Sequence, residues 1–297
     1  MLPSHAIINL NKPEGITSQQ AVTKVKRILG IKKAGHAGTL DPLATGVLVI
    51  CLGEATKISR FLMDDDKEYR ARMRLGERTE TLDADGAVTE TAPVPDLSFG
   101  DILDATRDFT GRIAQKPPMY SALKHKGTPL YDLARRGLSI ERTPRIVDIH
   151  SITVTAVHLP YIDLTVSCSK GTYIRSLCDD LGIRLGTFAH LTSLARTRAG
   201  AFTIDQAIRL NELTVQSGNS RSSPYLRSID DALKRFGEMR VREDDYHRAK
   251  NGVPISAEDL SESASHPYIR LKSPAGELFG IGRVEKTKIA IERILNI

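Results

Sequence analysis

The chain has 297 residues, of which 40% are hydrophobic, and a formal net charge of +6. This length is sufficient for one large domain with a full hydrophobic core and a second, small domain. No apolar stretch approaches the length of a membrane span, and the N-terminus lacks the charged start and apolar middle of a secretory signal, so we expect a soluble cytoplasmic protein. Cys51, Cys168 and Cys178 lack the paired spacing of a zinc site, which predicts reduced core thiols and no bound metal.

The positive charge is concentrated in residues 112–145. This segment holds eight Lys or Arg against two acidic residues, so its excess of positive charge equals that of the whole chain. Such a segment is expected to lie along a phosphate backbone. Charge alone predicts a solvated loop equally well.

The N-terminal part of the chain carries clear local signals. Residues 7–10 read as a short strand, and Thr17 to Gln20 form a capping box ahead of an amphipathic helix that Gly30 ends. The apolar run 47–52 is typical of a central strand. From Lys67 to Leu75, apolar and charged residues alternate, which places Tyr69 on the buried face of a strand.

The rest of the chain predicts an α/β mixture without the regular alternation of a doubly wound sheet. Residues 146–157 and 162–168 read as adjacent strands, and a helix begins near residues 171–173. Residues 217–224 are polar and rich in turn formers, which predicts a loop or linker. A short helix at 229–236 then precedes a hairpin at 268–284.

The stretch GHAGTLDPLATGVLVI, from Gly35 to Ile50, holds a single carboxylate, Asp41, in a glycine-rich loop ahead of an apolar strand. Pro42 disfavours the helical region for the residue before it, so the Asp41 backbone is expected to be extended. The glycines leave room for a flat ligand beside the carboxylate. Taken alone, an Asp-Pro pair is still better interpreted as an ordinary turn, with catalysis as the alternative.

Five other segments, taken together with this stretch, follow one another along the chain in the same order as the motifs of a known protein family. They are NLNKPEGITS (9–18), GEATKI (53–58), KEYR (67–70), QKPPMYSALK (115–124) and SKGTYIRSL (169–177). Together with GHAGTLDPLATG they resemble the motifs of the tRNA pseudouridine-55 synthases, the TruB-type branch of the pseudouridine synthases. The resemblance is strong from residue 7 to about 210 and thin beyond it.

The resemblance implies that uridine in the T-arm loop of tRNA, at tRNA position 55, is isomerised to pseudouridine. Asp41 is then the nucleophile, Arg175 the cation that orients it and keeps it ionised, and Tyr69 the residue that stacks on the extruded base and is a candidate for moving the C2′ proton. Four more positions match residues near the substrate: His36, Tyr173, Leu194 and Lys57. An isomerisation needs no cofactor, in keeping with a sequence that shows no Walker loop or dinucleotide fingerprint.

The resemblance also implies an α+β fold, with a mixed, largely antiparallel sheet flanked by helices and a small C-terminal PUA-like β domain. We predict a catalytic domain over residues 1–236, in which 112–145 form an RNA-gripping insertion that is mobile without RNA. A PUA-like RNA-binding domain would then span 237–297. The T-arm of tRNA is the expected partner, no membrane is expected, and the default expectation is a monomer.

Two acidic runs and two other functions complete the predictions. The run that begins at Asp83 resembles a calcium loop, but its twelfth position is Val94 rather than Glu, so we interpret it and residues 64–66 as turns and solvated caps. A module that binds or remodels tRNA without chemistry is the alternative function. A hydrolase or phosphotransferase with an aspartyl nucleophile lacks the further acidic ligands that magnesium would need.

Overall fold

The computed structural model describes residues 5–214, 224–257 and 266–297. Its strands up to residue 129 are β1 (Ile7–Lys12), β2 (Ala34–Ala37), β3 (Thr45–Leu52), β4 (Lys67–Leu75), β5 (Glu77–Thr79), β6 (Val88–Thr91), β7 (Gly111–Gln115), β8 (Lys124–His125) and β9 (Thr128–Pro129). The later strands are β10 (Arg145–His158), β11 (Tyr161–Cys168), β12 (Ala189–Ala199), β13 (Phe202–Thr203), β14 (Ile208–Arg209), β15 (Leu226–Arg227), β16 (Gly237–Arg240), β17 (Ile255–Ser256), β18 (Tyr268–Lys272), β19 (Leu278–Glu285) and β20 (Lys288–Ile294).

The α-helices are α1 (Ser18–Leu29), α2 (Ser59–Met63), α3 (Phe99–Arg107), α4 (Leu130–Arg135), α5 (Ile174–Arg184), α6 (Ile229–Ala232) and α7 (Glu243–Lys250). Short 3-10 helices span Gly53–Ile58 and Ile204–Gln206. None of the helices in the described ranges has the length and apolar character needed to cross a membrane. Of the predicted linker at 217–224, residues 217–223 lie outside the described residues.

The main sheet has eleven strands and is mixed. Its hydrogen-bonded path runs β14, β1, β3, β12, β4, β11, β10 and β7, while β13, β15 and β2 pair with β12, β1 and β3. The pairs β1 with β14 and β3 with β12 are parallel. The other pairs in this sheet are antiparallel. The predicted α+β fold with a largely antiparallel mixed sheet is confirmed.

Strand β3 is buried on both faces. Leu48 and Ile50 belong to a core cluster that includes residues of α1 and α5. Val47 and Val49 point the other way, into a cluster that includes Phe61 and residues of the C-terminal sheet. The continuous apolar run of this strand therefore reflects two cores that meet across it.

The C-terminal residues form a second sheet with the order β16, β18, β19, β20, β17. Its own cluster includes Leu271, Phe279 and Ile289. A small C-terminal β domain is therefore confirmed, whereas its PUA-like character and its boundary at residue 237 stay predictions.

Local sequence signals around α1 and β4 are confirmed. Thr17 and Gln20 form the reciprocal capping box, with Thr17 Oγ1 accepting from the Gln20 N–H at 3.1 Å and Gln20 Oε1 accepting from the Thr17 N–H at 2.8 Å. Gly30 closes the helix in the left-handed region, at φ 65°. Tyr69 is buried with the apolar face of β4, as the alternation predicts.

Three elements differ from the sequence predictions. The segment 34–37 is strand β2, paired with β3, rather than part of a loop. Strand β12 was missed, because its polar residues interrupt any simple apolar pattern, yet it lies at the centre of the sheet between β3 and β4. Helix α6 ends at Ala232 instead of residue 236.

The three cysteines are free and buried, which confirms the prediction of core thiols. Burial raises the pKa of Cys51 to about 12 and that of Cys168 to about 11. Because the thiolate is the reactive form, burial disfavours reaction of these two cysteines at neutral pH.

Candidate active site

Asp41 and Arg175 form an ion pair at the centre of the site. Asp41 lies in the loop between β2 and β3, and Arg175 is the second residue of α5. Arg175 Nη2 lies 2.9 Å from Asp41 Oδ2, and the exposed fractions of the two side chains are 5% and 39%. The cation is therefore fixed inside the protein while the carboxylate remains accessible to a ligand.

The buried Arg175 guanidinium has three further partners. Its Nη1 lies 3.4 Å from Asp83 Oδ2 and donates to the Thr81 carbonyl at 2.9 Å. Its Nη2 donates to the Tyr120 carbonyl at 2.8 Å. These contacts restrict the orientation of the planar fork and leave one edge for Asp41.

The interpretation of Asp83 as a solvated turn residue was wrong. Its side chain is 5% exposed and shares Arg175 with Asp41. The spacing of the acidic run carried no signal for this contact, because the partner lies on a distant helix. Two carboxylates therefore compete for one cation.

Burial is the largest influence on the Asp41 carboxyl and raises its pKa above the ordinary value of 3.8. The Arg175 charge and hydrogen bond oppose this shift, and the Lys12 charge opposes it weakly. The Asp83 charge adds to the increase. The pKa of Asp41 thus reflects desolvation, which raises it, and the charges of Arg175 and, more weakly, Lys12, which lower it.

The N-terminal segment holds the residues on both sides of Asp41. Ser18 Oγ accepts from the Leu40 N–H at 2.8 Å and donates to the Leu40 carbonyl at 2.9 Å. The Pro42 carbonyl accepts from the Gly15 N–H at 2.9 Å and from Lys12 Nζ at 3.3 Å. Residues 9–18 and the Asp41 stretch were both recognised as motifs, but nothing in the sequence indicated that they contact each other.

Lys12 is fully buried, and its ammonium also donates to the carbonyls of Pro13 and Ile16 at 2.8 and 2.7 Å. Burial lowers the pKa of Lys12 to about 8, although the Asp41 charge acts in the opposite direction. Lys12 is thus a second cation, behind the loop, that stabilises the Asp41 carboxylate.

Arg196, from β12, holds the loop and the strand that follows it. Its Nε donates to the Val47 carbonyl at 2.7 Å, its Nη2 to Gly38 at 3.1 Å and its Nη1 to Thr39 at 3.4 Å. The side chain is among the largest fully buried ones, and no carboxylate pairs with it within the described residues. Arg196 is therefore a buried cation that is satisfied by carbonyl oxygens on both sides of the Asp41 segment.

The close approach of Arg196 to this loop requires glycine at position 46. Gly46 has φ +96°, and a Cβ added there would overlap the Arg196 backbone. An L-residue at this position would be strained as well as blocked. The sequence carries no local signal for Arg196, because strand β12 itself has no simple apolar pattern.

Tyr69 is 9% exposed and lies close enough to Arg196 and Asp41 to be affected by both charges. Burial raises the pKa of its phenol, the Asp41 charge raises it further, and the charge and hydrogen bond of Arg196 lower it. The hydroxyl is therefore neutral at physiological pH and faces a guanidinium.

Tyr173 precedes α5 and connects the site to the insertion. Its N–H donates to Gln115 Oε1 at 2.8 Å, and Gln115 Nε2 donates to its carbonyl at 3.0 Å. Burial raises the pKa of Tyr173, and the charges of Arg175 and Asp41 act on it as well. This predicted residue therefore lies in the same group.

Leu194 and His36 flank the loop. Leu194, 8% exposed, pairs with Ala71 of β4, and its carbonyl accepts from Thr45 Oγ1 at 3.4 Å. His36 lies on β2, and its buried Nδ1 has no hydrogen-bond partner among the described residues. Burial and the Arg196 charge lower the pKa of His36, so it is a neutral ring with an unused polar atom.

Lys57 is not brought together with the other predicted residues. Its Nζ donates to the Ile294 carbonyl at 2.9 Å and pairs with Glu54 at 2.5 Å, at the contact with β20. Among the described residues, no group of three or more His, Cys, Asp or Glu is arranged to hold a metal ion.

Comparison with known proteins identifies the family. Residues 26–174 match the model of the TruB family pseudouridylate synthase N-terminal domain, and residues 175–234 match the tRNA pseudouridylate synthase B C-terminal domain. Proteins named tRNA pseudouridine synthase B are similar over nearly the whole chain. The one from Syntrophus aciditrophicus is 43% identical over 93% of this chain and 90% of its own. The one from Clostridium tetani is 39% identical over 98% and 99%.

Solved structures agree with this assignment. A Cbf5-Nop10-Gar1 complex contains a chain with a TM-score of 0.73 and 26% identity, covering 98% of this chain and 84% of that one. A chain of an H/ACA RNP bound to a substrate RNA containing 2′-deoxyuridine gives a TM-score of 0.71 and 25% identity, covering 98% and 85%. On the matched domains and relatives, this chain belongs to the TruB family of pseudouridylate synthases.

Proposed function

We propose that this protein is a tRNA pseudouridine synthase that isomerises the uridine at position 55, in the T-arm loop, with Asp41 as its nucleophile. The observation that carries the proposal is the 2.9 Å pair between an accessible Asp41 and a buried Arg175. The relatives named tRNA pseudouridine synthase B support tRNA as the substrate.

The reaction is balanced without any co-reactant. The bond between ribose C1′ and uracil N1 breaks, the base rotates, and a bond from C1′ to C5 forms. The proton leaves C5 for solvent, and N1 takes up a proton. A carboxylate can add to the base or to the sugar carbon, and both routes require its ionised form.

Arg175 and Lys12 would supply the positive charge that keeps Asp41 ionised in a partly desolvated site. Tyr69 would stack on the extruded base, because a neutral phenol is a weak base and a good planar surface. His36, with its unused Nδ1, would meet the bases displaced by extrusion. Tyr173 and Leu194 would enclose the uracil.

The target base of folded RNA has to be extruded, at a cost of a few kcal/mol. The basic insertion at 112–145 would offset part of this cost by binding backbone phosphates. The insertion is attached to the site by Gln115, which bonds the Tyr173 backbone, and by Tyr120, which bonds Arg175. A monomer with a C-terminal RNA-binding domain at 237–297 completes the proposal.

The test uses an unmodified tRNA transcript that carries tritium at C5 of its uridines. Formation of the new bond at C5 releases tritium to water, without added metal or cofactor. We expect the wild-type protein to release one equivalent per tRNA and to release none from a transcript with cytidine at position 55. Release from both transcripts would contradict the assigned position.

The Asp41→Asn variant separates the enzyme from the non-catalytic binding module. Asn is nearly isosteric but cannot act as a nucleophile, so we expect a rate loss of roughly 10³-fold or more with tRNA binding retained. If Asp41→Asn released tritium at the wild-type rate, Asp41 would not be the nucleophile.

A further inference from the structure

A groove lies beside α1, and its lining includes neither Arg175 nor any residue of the insertion. It has a volume of about 670 Å³ and is lined by residues of α1, of the β1 end and of the β14 end. We call it the α1 groove and define it by Lys24, Arg27, Ile28, Arg209 and Leu210. None of these residues has a role in the site described above.

The charged lining of the α1 groove has one sign. Lys24 and Arg27 are three residues apart on α1, so they project on one side of the helix, and Arg209 faces them. No acidic residue contributes to the lining within the described part of the chain. The Arg209 side chain makes a long, exposed contact of 3.9 Å with Glu212. The ion pairs of the described residues include neither Lys24 nor Arg27.

The lining of the α1 groove also includes two apolar side chains, Ile28 and Leu210. A groove lined by both apolar and basic side chains is complementary to a nucleic-acid strand. The phosphates can contact the cations while a ribose or base covers the apolar surface. An acidic peptide would match the charge but would not repeat it at each unit of its backbone.

Thr45 and Lys12 connect the lining of the α1 groove with the segment that carries Asp41. Thr45 lines this groove and also a second groove that contains Leu43 and Leu194. It lies in the same loop-to-strand segment as Asp41, and Lys12, which lines the α1 groove, binds the Pro42 carbonyl. The α1 groove therefore lies next to the loop that the substrate RNA would have to reach.

We infer that the α1 groove binds a phosphodiester segment of the substrate RNA, with phosphates on Lys24, Arg27 and Arg209 and a ribose or base against Ile28 and Leu210. The inference rests on the proposed function, since the strand it binds is part of the same RNA. It adds a second set of phosphate contacts to those of the basic insertion.

The test measures the dissociation constant of an unmodified tRNA transcript between about 50 and 200 mM salt. The triple variant Lys24→Gln, Arg27→Gln, Arg209→Gln should lower the salt slope, log Kd against log salt concentration, by about 2, because each lost phosphate contact removes about 0.7 to 0.9. Lys26→Gln is the matched control, since Lys26 is on the same helix but does not line the groove. The inference is overturned if the triple variant and Lys26→Gln have equal slopes.

A second measurement uses the wild-type protein and so does not depend on the folding of the variant. Lys24 should lose its reactivity towards an acetylating reagent when tRNA saturates the protein, while Lys26 keeps its reactivity. Equal reactivity of Lys24 with and without tRNA would overturn the inference. Tritium release by the wild type, measured in parallel, reports on the proposed function separately, because RNA can occupy the groove whether or not the base reacts.

Discussion

The Nη2 atom of Arg175 donates to the Tyr120 carbonyl at 2.8 Å and lies 2.9 Å from Asp41. One nitrogen thus joins the insertion to the candidate nucleophile. Any displacement of residue 120 by bound RNA changes the hydrogen bonding of the cation that orients Asp41. The position of the insertion and the orientation of the Asp41 carboxylate are therefore coupled through the Arg175 side chain.

The role of the Arg175 guanidinium is tested by Arg175→Lys. Lysine keeps the positive charge but cannot bind Asp41, Asp83 and two carbonyls at once, because it lacks the planar fork. We expect the single-turnover rate of tritium release to fall roughly 10²-fold, in line with the loss of an oriented donor, with tRNA binding nearly unchanged. A rate close to that of the wild type would show that charge alone is sufficient.

The pH dependence of the reaction is expected to report on Asp41. Burial and the Asp83 charge raise the pKa of Asp41 above 3.8, so on acidification the carboxylate is lost at a higher pH than for an ordinary aspartate. In Asp83→Asn one negative charge is removed, the pKa of Asp41 falls, and the acid limb of the rate profile should move to lower pH. The single-turnover rate measured against pH checks the direction.

Asp85→Asn is the matched control for that experiment, because Asp85 is exposed and lies in the same loop as Asp83. It should leave the acid limb where the wild type has it. Coincident acid limbs for the two variants would exclude the proposed effect of Asp83 on Asp41.

Ser18 should stabilise both the fold and the site. Ser18→Ala leaves the buried N–H and carbonyl of Leu40 without their partner, which costs about 1 to 3 kcal/mol of unfolding free energy. The rate of tritium release should fall as well, because Leu40 precedes Asp41. Urea denaturation and single-turnover kinetics measure the two effects.

Thr23→Ala is the control for Ser18→Ala. Thr23 is an exposed residue of the same helix, and its hydroxyl bonds only the Gln19 carbonyl one turn earlier. We expect a change within about 0.5 kcal/mol and an unaltered rate. Equal destabilisation by the two substitutions would mean that the Leu40 contacts are not the cause.

Arg196 is expected to tolerate no conservative replacement. Arg196→Lys retains a buried charge but loses the fork that binds Gly38 and Val47, so we expect a loss of about 2 kcal/mol or more in unfolding free energy together with a slower reaction. Arg198→Lys, two residues along β12, removes only a 3.4 Å bond to Ser167 and serves as the control. Similar melting temperatures for both variants would contradict the role given to Arg196.

Local sequence patterns were sufficient to predict those elements whose signals come from neighbouring residues. The capping box of Thr17 and Gln20 and the alternation of β4 depend on contacts within a few residues, so they could be read directly and the structure reproduces them. The resembling motifs named Asp41, Tyr69, Tyr173 and Arg175, and the structure brings all four into one electrostatic group.

The groups that hold the Asp41 loop and place charge near it come together only when the chain folds. Asp83, Lys12 and Arg196 act on Asp41 or its loop from a turn, from β1 and from β12, and no local pattern relates them. Lys57 shows the converse, since the resemblance predicted it near the substrate and the packing of β20 provides it with other partners. The physical reason is that sheet pairing and burial decide which distant polar groups lose water together and must satisfy one another.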